Sequence, residues 1–447
     1  MGVIEATSPV ERYVAQYEAF AGNGAGAAPA WLAELRRAAI GRFAALGFPT
    51  TRQEEWRFTS VEPIAETVFA LAHGADGGEP SPREMLSLEL CEARRHLVVF
   101  VNGRYSPALS AVAGLPPGVV IGSLAEGLRS DPQLLERYLG RHAVTELRPF
   151  AALNTAFLHD GGFVYVPARV VMEEPIQLLF VTVPGAAPIV SHPRCLVVVE
   201  RLSRASVVET YAAPRGGVYW TNAVTEIVVG DGARVDYYRV QRESERAYHV
   251  ATTHSVQGRD STLSIHPVAL GALLARHDIA TVLDGENGLC TLNGLYVLGG
   301  RQHADHHTTI DHAKPHCESH EYFNGVLDGQ SHGIFNGRIV VRPGAQRTDS
   351  KQTNNNLVLS EQARADSQPQ LEIYADDVKC THGATLGPID EKAMFYLKSR
   401  GLSPAEARTL LTYGFGAEII DRMGIAPLQA QLDRIIRHRL LGEAQAA

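Results

Sequence analysis

Residues 226–235 read EIVVGDGARV, two extended runs on either side of a polar turn, and this phrase decides the fold. β-Branched residues favour strands, and glycine and aspartate favour tight turns. Related phrases are SVQGRDSTL at 255–263, VLDGENGL at 282–289 and VLDGQSHGI at 326–334. Their turn glycines, Gly230, Gly258, Gly285 and Gly329, lie 28, 27 and 44 residues apart. Spacing of this kind is typical of the coils of a solenoid.

A single coil cannot bury its own apolar face, so several coils must stack to form a continuous core. We therefore predict a mainly β fold whose core, residues 151–387, is a β-solenoid. A β-sandwich is the alternative that the pattern leaves open. The run Asn354-Asn355-Asn356 is expected in a ladder of stacked turns.

Two further zones flank this core, and a chain of 447 residues is long enough for more than one module. Residues 1–150 are predicted to be mostly helical, with an amphipathic helix over 31–46 and one strand, 97–101, that ends in the turn Asn102-Gly103. Residues 388–447 form the second helical zone. Ser403-Pro404 followed by Glu406 is a strong helix start.

The overall composition excludes several classes of protein. Net charge is −8, which argues against nucleic-acid binding, and no apolar run of 18 residues predicts a membrane helix. Acidic residues near the N-terminus and the lack of an apolar stretch there argue against a signal peptide. The five cysteines are scattered without any CxxC, so a disulfide framework or zinc finger is not expected. We predict a cytoplasmic protein with reduced thiols.

Common enzyme motifs are missing from the sequence. It contains no GxxxxGK[ST] phosphate loop, so the chain is not expected to hydrolyse ATP itself. It also lacks the HExxH motif of zinc metalloproteases. These absences favour a non-enzymatic role.

Histidines are concentrated in one stretch, with seven of the 18 lying between His303 and His332. In a strand, His303, Asp305 and His307 would share one face, and His306 would point the other way. Two imidazoles and a carboxylate suit a first-row metal, so a metal-dependent enzyme is one hypothesis. The other is that these histidines form hydrogen bonds between coils.

The second candidate site is the motif KCTHG at 379–383. In a strand, Cys380 and His382 share a face, and a thiolate and an imidazole there could bind one metal or cluster. A single Cys-x-His pair has little specificity by itself.

Longer stretches carry a family resemblance. From Ala345 to Phe415, which includes NNNLVLSEQARADSQPQLEIYADDVKCTHGAT, the chain resembles the SufB/SufD family of iron–sulfur cluster assembly scaffolds. HADHHTTIDHAKPHCESHEYFNGVLDGQ at 303–330 and EEWRFTS at 54–60 are similar to the same family. The KCTHGAT form is most like the SufD branch.

The resemblance implies a right-handed parallel β-helix between helical domains. It implies a scaffold without ATPase activity that pairs with a SufB-type paralogue and a SufC-type ATPase. Such a complex builds transient Fe–S clusters on sulfur from a cysteine desulfurase system. Cys380 and His382 are the implied cluster ligands, with His382 the stronger candidate. The C-terminal helices are the implied ATPase-docking region, and its apolar candidates are Leu410, Leu411, Leu428, Leu432 and Ile436.

Several alternatives stay open at this stage. The chain could be a purely structural partner of a SufB-type protein that contributes no ligand. An exposed β-helix edge is compatible with a homodimer when the chain is isolated. The sequence also leaves open whether reduced flavin binds the complex, and whether Cys380 or Cys317 relays sulfur.

Overall fold

A computed structural model describes residues 8–22, 28–72, 78–90, 95–142 and 148–441 of the chain. Helices lie at the two ends of this sequence, and a short 3-10 helix spans Glu54–Trp56. The α-helices are α1 (Pro9–Gly22), α2 (Ala30–Leu46), α3 (Glu62–Glu66), α4 (Pro82–Leu88), α5 (Leu124–Ser130), α6 (Pro132–Tyr138), α7 (Pro149–Ala156), α8 (Glu391–Ser399), α9 (Pro404–Ile420) and α10 (Ala426–Leu441).

Strands fill most of the chain between α7 and α8, and the first six strands of the chain begin before residue 166. These six are β1 (Ala70–Leu71), β2 (His96–Val101), β3 (Arg104–Tyr105), β4 (Ala111–Val112), β5 (Val120–Ser123) and β6 (Gly162–Val166). The others are β7 (Ile176–Val181), β8 (Ile189–Ser191), β9 (Arg194–Val199), β10 (Arg204–Ala212), β11 (Tyr219–Val229), β12 (Arg234–Arg242), β13 (Tyr248–Gln257), β14 (Thr262–Ala269), β15 (Leu274–Leu283), β16 (Leu289–Leu298), β17 (His303–His312), β18 (Glu318–Leu327), β19 (His332–Val341), β20 (Asp349–Val358), β21 (Arg364–Ile373) and β22 (Lys379–Gly387).

From β9 onward the chain alternates between two parallel sheets. Odd-numbered strands from β9 to β21 form the first sheet in sequence order, and even-numbered strands from β10 to β22 form the second. Each pair of strands is therefore one coil, and about 8 turns stack into a β-solenoid. The predicted mainly β solenoid is confirmed.

The repeat of the turn glycines follows from this winding. Paired residues on neighbouring strands of the first sheet lie between 26 and 32 positions apart, as in Tyr248 with Leu274 and His332 with Arg364. Gly230, Gly258 and Gly285 follow strands of the first sheet, whereas Gly329 follows β18 of the second sheet. The interval of 44 residues therefore covers one and a half coils. The two corners of a coil have similar sequences, so the phrase at Gly329 resembles the other three although it lies at the opposite corner.

Side chains alternate between the interior of the solenoid and its outer faces. Interior positions in the early coils are apolar, for example Val197, Val207 and Ile227. In β20 the interior positions are polar instead, and they carry the buried residues Ser350, Gln352, Asn354 and Asn356.

The predicted turn ladder at Asn354-Asn355-Asn356 is wrong, because these residues lie inside β20. Asn354 donates a hydrogen bond to the hydroxyl of Tyr296 at 3.2 Å, and Tyr296 also bonds Asn356. The buried tyrosine hydroxyl needs partners, and the two amides supply them.

The two ends of the solenoid differ. At the N-terminal end, β2 pairs with β7 and turns back into β3 through Asn102 and Gly103, both with positive φ (49° and 76°). This strand and turn were predicted, and the positive φ values explain the Asn-Gly sequence. At the other end, β21 and β22 are the last strands of their sheets, and no described strand pairs with their outer edges.

The C-terminal helices pack on the outer face of the second sheet. Ser403 caps α9 and forms a reciprocal capping box with Glu406, as the sequence predicted. Residues of α9 and α10, such as Ile419 and Leu428, join one buried cluster with Val268 and other sheet residues. Within the described ranges, no helix has both the length and the apolar character required to cross a membrane. The division at residues 150 and 387 stays a prediction.

Candidate functional site

Cys380 and His382 lie on β22, the terminal strand of the second sheet. They pair in register with Ser350 and Gln352 of β20, which are buried and alternate with the exposed Lys351. Cys380 and His382 therefore continue two inward-facing columns of side chains and share one face, as predicted. Because no coil in the described part of the chain covers them, Cys380 is only partly buried and His382 is exposed.

The thiol of Cys380 is not activated in the isolated chain. Its partial burial, together with the nearby carboxylate of Asp349, raises the pKa of the thiol. It is therefore protonated near neutral pH, and a bound metal would have to replace the proton.

Polar columns continue beneath both residues. Below Cys380, the hydroxyls of Ser350 and Ser319 lie 2.7 Å apart, and Ser319 contacts Nε2 of His312 at 2.9 Å. Below His382, Nε2 of Gln352 donates to Oε2 of Glu321 at 2.6 Å. The candidate site thus extends into the solenoid.

Glu321 is the functional candidate that the sequence analysis missed. Burial raises the pKa of its carboxyl to about 7, and no ion pair involves it within the described residues. The signal in the sequence is the alternation of Ser319, Glu321 and Phe323, which places a charged residue at an inward position of β18. That alternation has meaning only once the phase of the strand is known.

The three residues of the metal hypothesis share the outer face of β17. Asp305 forms an ion pair with the Arg276 guanidinium at 2.7 Å, accepts a hydrogen bond from Thr59 at 2.6 Å, and lies 3.1 Å from Nε2 of His307. Nε2 of His303 contacts the same Thr59 hydroxyl at 2.8 Å. An arginine already occupies the place where a cation would bind.

These contacts hold an N-terminal segment on the solenoid. Arg276 also lies over the ring of Trp56, 3.8 Å from its centroid, and donates to the carbonyl of Glu55. Burial alone would raise the pKa of Asp305, but Arg276 and His307 hold it well below its usual range. In the described parts of the chain, no three or more His, Cys, Asp or Glu residues form a group that could hold a metal. The EEWRFTS motif is therefore explained by its contacts with the solenoid of the same chain.

The other histidines of the cluster are spread over several coils. His306 points inward and stacks on Tyr296, with ring centroids 5.1 Å apart. His316 lies in a turn with a φ of 63°, and His332 contacts Asp366 at 2.7 Å. Burial lowers the pKa of His303, His306 and His312 to about 4, so these imidazoles are neutral at pH 7.

The cysteine candidates also differ in position. Cys195, Cys290 and Cys317 are buried and free, and Cys91 lies outside the described residues. Sγ of Cys317 is 3.2 Å from the carbonyl oxygen of Gly285 at a corner of the solenoid. Among the described cysteines, Cys380 alone is partly exposed.

The five apolar residues predicted to dock an ATPase do not form one surface. Leu428, Leu432 and Ile436 are fully buried against the solenoid, and Leu411 is partly buried. Leu410 is 48% exposed. On the neighbouring helix α8, Phe395 is 73% exposed and Tyr396 is 55% exposed.

Comparison with known proteins agrees with this architecture. Residues 181–415 match a family model described as the SufBD core domain of SUF system FeS cluster assembly, and residues 7–178 match the SufBD protein N-terminal region. An iron–sulfur cluster assembly SufBD family protein of Synechocystis is 35% identical over 92% of this chain and 91% of its own length.

Two relatives carry the name iron–sulfur cluster assembly protein SufD. The Escherichia coli protein is 32% identical over 89% of this chain and 91% of its own length. The Bacillus subtilis protein is 30% identical over 92% of this chain and 94% of its own length. The chain therefore belongs to the SufBD family of iron–sulfur cluster assembly proteins.

Proposed function

We propose that this chain is the SufD-type scaffold subunit of a SUF assembly complex and has no nucleotide site of its own. It pairs with a SufB-type paralogue and a SufC-type ATPase, and the complex builds Fe–S clusters on sulfur from a cysteine desulfurase system. Reduced flavin is proposed as a further cofactor of the complex and not of this chain alone. The observation that carries the proposal is the position of Cys380 and His382 on a terminal strand whose outer edge pairs with no described strand.

A free strand edge favours addition of a strand from another protein. A SufB-type solenoid that adds its own strand to β22 would bring its side chains next to Cys380 and His382. Sulfur and nitrogen ligands suit an Fe–S cluster, which is the cargo of the complex. This chain offers two neighbouring ligands there, so the remaining ligands would come from the partner.

The test is complementation in cells that lack the chromosomal copy of this chain. We expect His382→Ala to lose most cluster assembly, because the cluster would lose a ligand, while the variant still copurifies with its partners. Cys380→Ser is expected to have a smaller effect. Activity of a cluster-dependent enzyme in the lysate measures the outcome.

The matched control is His320→Ala. His320 is also a histidine on the second sheet, its side chain is 42% exposed, and it lies on β18 away from the terminal strand. Normal cluster assembly by His382→Ala would reject the ligand role and favour the purely structural function.

A further inference from the structure

The carboxamide of Gln352 has a fixed position inside the last covered coil. Its Nε2 donates to Oε2 of Glu321 at 2.6 Å. On the opposite sheet lies Gly337, where a Cβ atom would collide with the Gln352 carboxamide. The glycine therefore leaves the space that the amide fills, and Glu321 anchors the nitrogen side of that amide.

The oxygen atom of the same carboxamide has no hydrogen-bond donor among the described residues. Oε1 of Gln352 is buried and accepts no hydrogen bond from any described residue. A buried carbonyl without a donor costs about 1–3 kcal/mol, so such an atom requires an explanation. The terminal coil can supply that donor, because β22 pairs with the strand that carries Gln352.

His382 is the residue of the terminal coil that lies beside Gln352. It is the in-register neighbour of Gln352 on β22, and paired strands lie about 4.8 Å apart. Within the described residues, the imidazole of His382 makes no hydrogen bond or ion pair. An imidazole N–H is a donor of the required kind.

We propose that Gln352 is a positioning residue for His382, with its carboxamide oxygen accepting the hydrogen of one ring nitrogen. The other ring nitrogen then carries the lone pair and faces away from the solenoid, toward a cluster metal. The inference rests on the proposed role of His382 as a ligand. Ligating histidines commonly have such a partner, which selects the tautomer and the orientation of the ring.

Glu321 determines which end of the amide faces His382. An ionised carboxylate can only accept hydrogen bonds, so Gln352 must direct its NH₂ group to Glu321 and its oxygen to the terminal coil. Glu321→Leu removes this acceptor, whereas Glu321→Gln replaces it with an amide that can also donate.

The first measurement is the tautomer of His382 in the full-length chain at pH 8. Nitrogen NMR of histidine-labelled protein reports it, and the spectrum of His382→Ala assigns the signal. We expect a single tautomer in the natural protein. Gln352→Met, which has a similar shape but no acceptor, should give a mixture of the two tautomers, as should Glu321→Leu.

The matched control is Asn354→Leu. Asn354 is another buried amide on the inner face of β20, but it lies beneath Ala384 rather than His382. This variant should lose stability through Tyr296 and keep the single tautomer. The same tautomer in Gln352→Met as in the natural protein would overturn the proposal.

The second measurement uses the complex with its SufB-type and SufC-type partners. Loss of an outer partner of a ligating histidine typically lowers metal affinity 10–100-fold, and we expect a loss of that size in iron retained by the Gln352→Met complex. The tautomer measurement needs no cluster, so it tests the contact independently of whether His382 proves to be a ligand.

Discussion

At the scale of single residues, the least usual group is the carboxyl of Glu321. Burial raises its pKa from 4.5 to about 7, because charge is costly in the interior of the solenoid. Its hydrogen bond from Gln352 offsets only part of this cost. The folded chain therefore binds a proton at this position more tightly than the unfolded chain does.

The tighter proton binding in the folded chain determines how stability changes with pH. The stability contributed by protonated Glu321 is fully present below pH 4.5 and is lost as the pH rises through about 7. A shift of this size corresponds to roughly 3 kcal/mol. We expect Glu321→Gln to gain up to about 3 kcal/mol in free energy of unfolding, relative to the natural chain, between pH 5 and pH 8.5.

Urea denaturation of both proteins at the two pH values measures this gain. Taking the difference between the proteins cancels the titration of the buried histidines, which both contain. An equal stability difference at pH 5 and pH 8.5 would show that Glu321 is not a buried titrating group.

At the scale of strands and helices, local patterns predicted most of the elements. The amphipathic stretch at 31–46 forms α2, and Ser403-Pro404 with Glu406 starts α9. Turn glycines marked the corners of the coils. These signals were sufficient because each depends on residues that are close in sequence.

Features that depend on stacking were not predictable in the same way. The asparagines at 354–356 suited a turn, but their partner Tyr296 lies two coils earlier in the second sheet. The shared face of Cys380 and His382 follows from alternation along one strand. The Gln352–Glu321 column beneath them depends on the register between strands, which local sequence does not contain.

The contact between residues 54–60 and the solenoid depends on a buried ion pair, and the prediction at this scale concerns that pair. Arg276 and Asp305 are both 1% exposed at their side chains, and removal of Asp305 leaves the buried guanidinium with Asp278 as its remaining carboxylate partner, 2.9 Å away. We expect Asp305→Ala to lower the free energy of unfolding by about 1.5–3 kcal/mol, the usual size of a hydrogen bond to a charged group. Chemical denaturation measures this loss.

A suitable control is His307→Gln, because His307 contacts the other oxygen of Asp305 and leaves the arginine pair intact. The free energy of unfolding of that variant should fall by less than about 1 kcal/mol, the usual contribution of a single hydrogen bond. A similarly small loss for Asp305→Ala would contradict the role of the pair in holding the N-terminal segment.

At the scale of the whole molecule, the C-terminal helices combine a buried and an exposed side. Leu428, Leu432 and Ile436 fix α10 to the solenoid, while Phe395 and Leu410 remain exposed on α8 and α9. The large exposed apolar side chains are the better candidates for contact with an ATPase.

We expect the double variant Phe395→Glu with Leu410→Glu to lose copurification with the SufC-type ATPase, because charges would enter an apolar contact. Its circular dichroism should match that of the natural chain, since both residues are exposed. Leu86→Glu, at a 65% exposed leucine of α4, is the control and should retain the ATPase. Retention by the double variant would place the docking surface elsewhere.

The polar interior of the last coils has a consequence for how the molecule opens. In a stacked array each coil is stabilised mainly by its neighbours, so local unfolding begins where a neighbour is missing and apolar burial is least. Both conditions meet at β21 and β22, whereas antiparallel strands pair at the N-terminal end of the solenoid and the early coils have an apolar interior. Fraying of the last coil and its burial by the proposed SufB-type partner are therefore competing processes, and we expect the order of Cys380 and His382 to rise with the fraction of chain bound to that partner.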